Sequence, residues 1–197
     1  MFQFIESIRI KEGCVEQLSY HQSRVNKTFL NFGKSPFFQL QEIVKIDSSN
    51  AMGVVKCRIK YDLDRIIEIT YSKYAIKKIE TISFAELDGR KYDFKYADRG
   101  WITDMLLKSG TDEIIMTDQG IIKDASYANL AFYDGELWYT PQIPLLEGTQ
   151  RAFLLESKKI HPREISVDDL HKYQQVKFIN AMMLWDESPI LSMSLLS

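Results

Sequence analysis

Residues 113–139 form the most strongly patterned segment of the chain and read EIIMTDQGIIKDASYANLAFYDGELWY. Short apolar runs alternate there with turn signals. Asp118-Gln119-Gly120 separates one pair of runs and Asp134-Gly135 separates the next, which is typical of tight β-hairpin turns. The pattern therefore predicts two consecutive hairpins, with strands at 113–117, 121–124, 130–133 and 136–139.

Helices are predicted on both sides of these hairpins. Residues 98–109 form a short amphipathic segment before a glycine, and residues 149–159 follow Gly148. Asp168-Asp169-Leu170 indicates another helix start, and residues 176–182 indicate a further strand. The C-terminal half is thus expected to combine hairpins with short helices.

The N-terminal half has a different rhythm. Apolar and polar residues alternate over 2–10, which predicts a strand, and a helix is expected over 20–32 with Ser19 as its N-cap. The remaining predictions are a return strand at 14–18, a helix at 38–46 and strands at 52–60 and 65–73. Residues 1–80 therefore indicate an α+β unit.

The composition limits the classes of function. The chain has 197 residues, 45% of them hydrophobic, and a formal net charge of −2 with acids and bases mixed. This balance favours neither a nucleic-acid nor a membrane surface. The start of the chain lacks the pattern of a signal peptide, and Cys14 and Cys57 have no metal-binding spacing. We therefore expect reduced thiols, no metal site and a cytoplasmic location.

Three motifs with possible chemistry follow one another along the chain. Lys95 lies in an aromatic run before a helix, Asp124 ends the second strand of a hairpin, and Gly148-Thr149 opens a helix. A partly buried lysine can form a Schiff base, and a glycine at a helix start lets an anion approach the backbone N–H groups. On spacing alone, the same residues also fit a surface lysine, a turn residue and an ordinary helix cap.

Taken together and in order, these motifs resemble the class IV aminotransferase family, the pyridoxal-phosphate enzymes of fold type IV. The resemblance runs from Phe4-Ile5-Glu6-Ser7-Ile8-Arg9 to Asn180-Ala181-Met182. It implies an α+β fold of two subdomains with pyridoxal 5'-phosphate in the cleft between them. The small N-terminal subdomain would be 1–90 and the cofactor-binding subdomain 91–197. A homodimer is also implied.

The resemblance assigns the residues around the cofactor ring. Lys95 would be the catalytic lysine that carries the cofactor as a Schiff base. Asp124 would hold the proton on the pyridine nitrogen, where the family pattern has glutamate, and Ala125 replaces a glycine of that pattern. Ser126 and Asn129 complete the motif. The shorter Asp124 side chain requires a shift of the ring or hairpin, or a bridging water.

The resemblance also assigns the phosphate contacts. Arg24 ends a His-x-x-Arg motif on the first helix, and an arginine there pairs with the phosphate in the family. Gly148 and Thr149 would supply backbone N–H groups and a hydroxyl. Asn180 and Ala181, at the end of a strand, would supply further contacts.

The function implied is chemistry on a small amine substrate. The segment Asn180-Ala181-Met182 is similar to that of 4-amino-4-deoxychorismate lyases, which favours a lyase of folate biosynthesis that gives 4-aminobenzoate and pyruvate. Two alternatives remain open: an aminotransferase for branched-chain or D-amino acids with 2-oxoglutarate, and a non-catalytic homologue that binds the cofactor.

Overall fold

The chain folds into two compact units in a computed structural model, which describes residues 2–196. Unit 1 is Met1–Ile76 together with Phe94–Asp98, and unit 2 is Lys77–Asp93 together with Arg99–Ser197. The assignment of 1–90 and 91–197 as functional subdomains stays a prediction.

Unit 1 is a four-stranded antiparallel sheet with two helices. Its elements are β1 (Phe4–Lys11), β2 (Cys14–Val15), α1 (Leu18–Asn31), α2 (Leu40–Ile43), β3 (Val54–Tyr61) and β4 (Ile66–Lys73). The strand order is β2-β1-β3-β4. Phe4, Ile8 and Ile10 alternate along β1 and form one buried core with Val25 and Phe29 of α1. The strand alternation expected from the sequence therefore does build this core.

Residues 94–98 return to unit 1 and lie along β1. The Ile5 N–H donates to the Lys95 carbonyl at 2.9 Å, and the Ala97 N–H donates to the Gln3 carbonyl at 2.8 Å. This pairing fixes the backbone around Lys95 on the first strand, although ninety residues of sequence separate the two segments.

Both predicted helices of unit 1 differ in their bounds. The first begins at Leu18, because Gln17 turns the chain with a left-handed backbone (φ 51°), so Ser19 lies inside the helix and is not its N-cap. The second is a single turn, because Val44 leaves the helix in an extended conformation and buries its side chain.

Unit 2 holds the remaining elements. They are β5 (Ile82–Glu86), α3 (Gly100–Ser109), β6 (Glu113–Asp118), β7 (Ile121–Ala125), β8 (Asn129–Tyr133), β9 (Trp138–Pro141), α4 (Thr149–Glu156), β10 (His161–Arg163), β11 (Gln175–Ile179) and β12 (Ile190–Ser192), with 3₁₀ helices at Asp168–Lys172 and Met193–Leu196.

Two sheets organise unit 2, in the orders β5-β6-β7 and β10-β9-β8-β11-β12. Both predicted hairpins are confirmed, and Gly120 and Gly135 have the positive φ angles (77° and 108°) that their turns require. The parallel partners β5 and β10 were not predicted, because neither is joined to its neighbour by a local turn. None of the helices over residues 2–196 is long and apolar enough to cross a membrane.

Candidate active site

Lys95 lies at the centre of a tight three-residue turn in unit 1. The Tyr96 N–H donates to the Phe94 carbonyl at 2.8 Å, which closes the turn around Lys95. The rings of Phe94 and Tyr96 both contact Phe4, with centroids 6.3 and 5.4 Å apart. Ring packing and the bond to Ile5 thus hold the backbone of Lys95 from both sides.

Glu6 of β1 organises a second group of charged side chains in unit 1. Its carboxylate is fully buried and accepts two bonds from Arg24, from Nε at 2.9 Å and from Nη2 at 2.5 Å. His21 Nδ1 lies 2.6 Å from Glu6 Oε2. One turn of α1 therefore places His21 and Arg24 on the same acid, as their spacing of three residues allows.

The ionisation of this group follows from its contacts. Burial alone would raise the pKa of Glu6, but the charge of Arg24 and the hydrogen bonds from His21 and Arg24 lower it to about 2. Burial lowers the pKa of His21, and the charges of Arg24 and Lys95 lower it further. The hydrogen bond and charge of Glu6 raise this pKa, but by less than the other causes lower it. Glu6 is thus ionised at neutral pH. An ionised carboxylate can only accept hydrogen bonds, so the contact with His21 requires an N–H on His21 Nδ1, which donates a hydrogen bond to Glu6 Oε2.

Asp124 is the buried acid of unit 2. Its Oδ1 accepts a hydrogen bond from Asn129 Nδ2 at 2.7 Å, and its Oδ2 accepts one from the Leu146 N–H at 2.8 Å. Burial raises the pKa of Asp124 to about 7, although both hydrogen bonds and the charge of Arg151 oppose the rise. A nearby cation, such as a protonated ring nitrogen, would favour the ionised form of this acid.

Asn129 and Gly148 meet at close range beside Asp124. A Cβ built on Gly148 would lie 2.0 Å from Asn129 Oδ1, so any side chain at this position would displace the asparagine. Asn129 cannot move freely, because its Nδ2 also donates to the Leu146 carbonyl at 2.8 Å. The glycine predicted from the helix start is therefore required by packing.

The first turn of α4 carries buried polar groups that have no hydrogen-bond partner within residues 2–196. Thr149 and Gln150 are 4% and 1% exposed, and among the described residues no hydrogen-bond partner meets Thr149 Oγ1 or either polar atom of the Gln150 amide. Arg151, next in the chain, donates hydrogen bonds to Thr140 Oγ1 and to the Pro141 carbonyl. Buried polar groups normally find partners, so this turn is suited to a polar ligand.

The remaining predicted residues surround the same region of unit 2. Ser126 is buried and follows β7, and its N–H is bonded to Glu113. Ile179, the last residue of β11, pairs with Asn129. Asn180 follows Ile179 in the chain and therefore lies near Asn129. The Asn180 side-chain oxygen accepts the Met182 N–H at 2.8 Å and closes the turn that contains Ala181. Unit 2 thus brings together the predicted residues from Asp124 to Ala181.

Sequence reasoning missed two polar residues of these groups, Glu113 and Gln150, and gave Glu6 of the first strand no catalytic role. Glu6 and Glu113 are both fully buried. An acid within an alternating or continuous apolar run was the available signal, since such residues are rarely buried without a partner. Gln150 gave no signal, because a polar residue in a first helical turn is normally exposed.

Comparison with known proteins decides the family. The model of the family described as "Amino-transferase class IV" matches residues 66–186, more than half of the chain. A Haemophilus influenzae protein without an assigned function is 33% identical over 186 residues, which cover 92% of this chain and 98% of that protein.

The chain belongs to the class IV aminotransferase family.

Solved structures agree with this assignment. A provisionally named 4-amino-4-deoxychorismate lyase from Haemophilus somnus 129PT is 36% identical, with a TM-score of 0.85 over 92% of this chain and 97% of that one. The branched-chain amino acid aminotransferase of Escherichia coli is 13% identical, with a TM-score of 0.74 over 96% of this chain and 76% of that one, a likeness of fold. The predicted α+β fold type IV is confirmed, and this class IV family member is a pyridoxal-phosphate-dependent lyase or aminotransferase.

The residues present fit the cofactor of the family. The Thr149 hydroxyl and Gln150 amide at the start of α4, which find no partner in the described part of the chain, suit a phosphate, since a helix N-terminus favours an anion. The buried Asp124 suits a protonated ring nitrogen. In unit 1, Arg24 is held by Glu6 through Nε and Nη2, which fixes the plane of its guanidinium group.

Proposed function

We propose that this class IV family member is a pyridoxal-phosphate enzyme of the 4-amino-4-deoxychorismate lyase type, which releases 4-aminobenzoate and pyruvate. The observation that carries the proposal is the 36% identity to the Haemophilus somnus protein, which extends over 92% and 97% of the two chains. A relative of such similar length supports a shared reaction more strongly than fold likeness alone.

Lys95 is the proposed attachment and proton-transfer residue. When bound, pyridoxal phosphate supplies an electron sink for the carbon that bears the substrate amine. Lys95 Nζ would take the proton from that carbon and later return a proton to the product. The turn and the ring contacts around Lys95 keep its backbone fixed, so only the side chain has to move.

Unit 2 supplies the proposed anchors. Asp124 would hold the ring nitrogen protonated, with Asn129 and the Leu146 N–H keeping the carboxylate oriented. The start of α4 would bind the phosphate through backbone N–H groups, the Thr149 hydroxyl and the positive end of the helix dipole. In unit 1, Arg24 is the proposed guanidinium partner of the phosphate.

The test combines labelling with product analysis. The purified protein is mixed with pyridoxal phosphate, reduced with borohydride and digested, and the labelled peptide is identified by mass spectrometry. We expect the label on Lys95, and none in Lys95→Ala. Lys177 is the matched control, because it is a buried lysine whose pKa burial lowers. Lys177→Met should therefore keep the label.

The reaction is then assigned from products. With 4-amino-4-deoxychorismate, we expect stoichiometric 4-aminobenzoate and pyruvate without 2-oxoglutarate. Amino-group transfer to 2-oxoglutarate in place of pyruvate release would replace the lyase with an aminotransferase. Cofactor binding without turnover of either substrate class would indicate a non-catalytic homologue.

A further inference from the structure

Glu113 is an acid buried at the start of an apolar strand. It precedes Ile114, Ile115 and Met116 in β6, and like the first two of these it is 0% exposed. Desolvating a carboxylate costs several kcal/mol unless charges and hydrogen bonds compensate it. An apolar residue would suit this strand position better, so the acid needs a local explanation.

The contacts of Glu113 supply that explanation. Its Oε1 accepts the Ser126 N–H at 2.9 Å and the Ile114 N–H at 3.1 Å. Its Oε2 lies 3.4 Å from Lys77 Nζ, and Lys77 is 44% exposed. The Glu113 carboxylate thus contacts the Lys77 ammonium group on one side and the backbone of Ser126, just after β7, on the other.

Ser126 is held from its other side as well. A guanidinium nitrogen of Arg99 donates to the Ser126 carbonyl. The turn is closed by the Ala125 N–H, which donates to the Ala128 carbonyl at 2.9 Å. The peptide groups on both sides of Ser126 therefore each bond to a charged side chain, within the turn over residues 125–128 that joins β7 to β8.

This turn sets the separation of two proposed cofactor residues. Asp124 lies just before it and Asn129 just after it, and their side chains are 2.7 Å apart. The two side chains keep their positions only while the turn keeps its shape. A small displacement of an anchoring group weakens the binding of its ligand strongly.

We propose that Glu113 is a positioning residue of the cofactor site: its buried carboxylate pins the 125–128 turn through the Ser126 N–H and so keeps Asp124 and Asn129 in their paired arrangement. The inference rests on the proposed function for its effect on the cofactor. The pinning of the turn itself is a property of the cofactor-free protein.

The test uses Glu113→Gln, which keeps the shape of the side chain and removes its charge. We expect faster hydrogen exchange of the Ser126 amide in the cofactor-free protein, by about tenfold, because a charge-assisted hydrogen bond becomes a neutral one. We also expect the Kd for pyridoxal phosphate to rise by about tenfold, with a shifted pH midpoint of the bound cofactor's absorption.

Glu86→Gln is the matched control. Glu86 also accepts a backbone N–H, that of Gln119 at 2.6 Å, but at the opposite end of the same hairpin and at the surface. It should leave the Ser126 exchange and the cofactor Kd within about twofold of the wild type. Lys77→Gln, which keeps Glu113 itself, is a second variant that should move both readouts in the same direction as Glu113→Gln, by less.

The outcomes separate the two proposals. Unchanged Ser126 exchange in folded Glu113→Gln and Lys77→Gln overturns the inference, whatever the cofactor does. Faster exchange with an unchanged cofactor Kd also overturns it, because the turn would then not position the site. If the wild type binds no pyridoxal phosphate, the proposed function and the cofactor role of Glu113 both fail, and the Ser126 exchange then decides the pinning of the turn alone.

Discussion

Asn129 Nδ2 donates a hydrogen bond to Asp124 Oδ1 at 2.7 Å, and the opposite side of the same amide faces Gly148. This one side chain therefore connects the acid at the end of β7 to the start of α4. The proposed ring anchor and the proposed phosphate anchor depend on it together.

Gly148→Ala should weaken both anchors. The new Cβ would lie 2.0 Å from Asn129 Oδ1 and would force the asparagine away from Asp124. We expect a loss of about 1–3 kcal/mol in the free energy of unfolding, as for overpacked sites, and weaker cofactor binding. Urea unfolding of the cofactor-free protein measures the first effect. The same substitution in an Asn129→Ala background should cost less, and equal costs in the two backgrounds would rule out the steric explanation.

Asp124 should make the cofactor-free protein less stable as the pH rises. Its folded pKa of about 7 exceeds the ordinary value of 3.8, so the folded state binds the proton more tightly between these values. The stabilisation is present below about pH 4 and is lost as the pH rises through about 7, with a size on the order of 4 kcal/mol.

Asp124→Asn should remove this dependence. Unfolding free energies of the wild type and variant, measured at about pH 4 and about pH 7, give the difference directly. Parallel pH dependences of the two proteins would show that Asp124 titrates normally. With cofactor added, we expect the variant to lose turnover far more than affinity, because the ring nitrogen loses its charged partner.

Glu6 should have the opposite pH dependence. Its folded pKa of about 2 lies below the ordinary 4.5, so its stabilisation is present above about pH 4.5 and is lost as the pH falls through about 2. Glu6→Gln should cost about 3 kcal/mol at neutral pH, because Arg24 loses its buried partner. Glu42→Gln, on the exposed surface of α2, is the control and should cost less than about 0.5 kcal/mol.

Thr149→Val should change stability and binding in opposite directions. The Thr149 hydroxyl is buried without a hydrogen-bond partner among the described residues, and such a group costs about 1–3 kcal/mol. Valine has nearly the same shape, so the cofactor-free variant should be more stable than the wild type, while its Kd for inorganic phosphate and for pyridoxal phosphate should rise. A less stable variant with unchanged affinity would show that the hydroxyl has an internal role instead.

The amino-acid sequence by itself determined the two hairpin turns and the family. Asp118-Gln119-Gly120 and Asp134-Gly135 specify hairpin turns because glycine adopts positive φ at no steric cost, and both turns are present. The order of Lys95, Asp124 and Gly148-Thr149 was sufficient to indicate the class IV family, which the comparisons confirm.

Tertiary structure alone decided which polar residues are buried and what they bond to. Glu6 meets Arg24 across 18 residues of sequence and Glu113 meets Ser126 across 13, and no local pattern encodes either contact. The parallel pairing of β5 with β6 likewise depends on distant segments meeting. Local conformation follows from the steric and hydrogen-bonding preferences of neighbouring residues, whereas the partner of a buried charge is fixed only when the whole chain has packed around it.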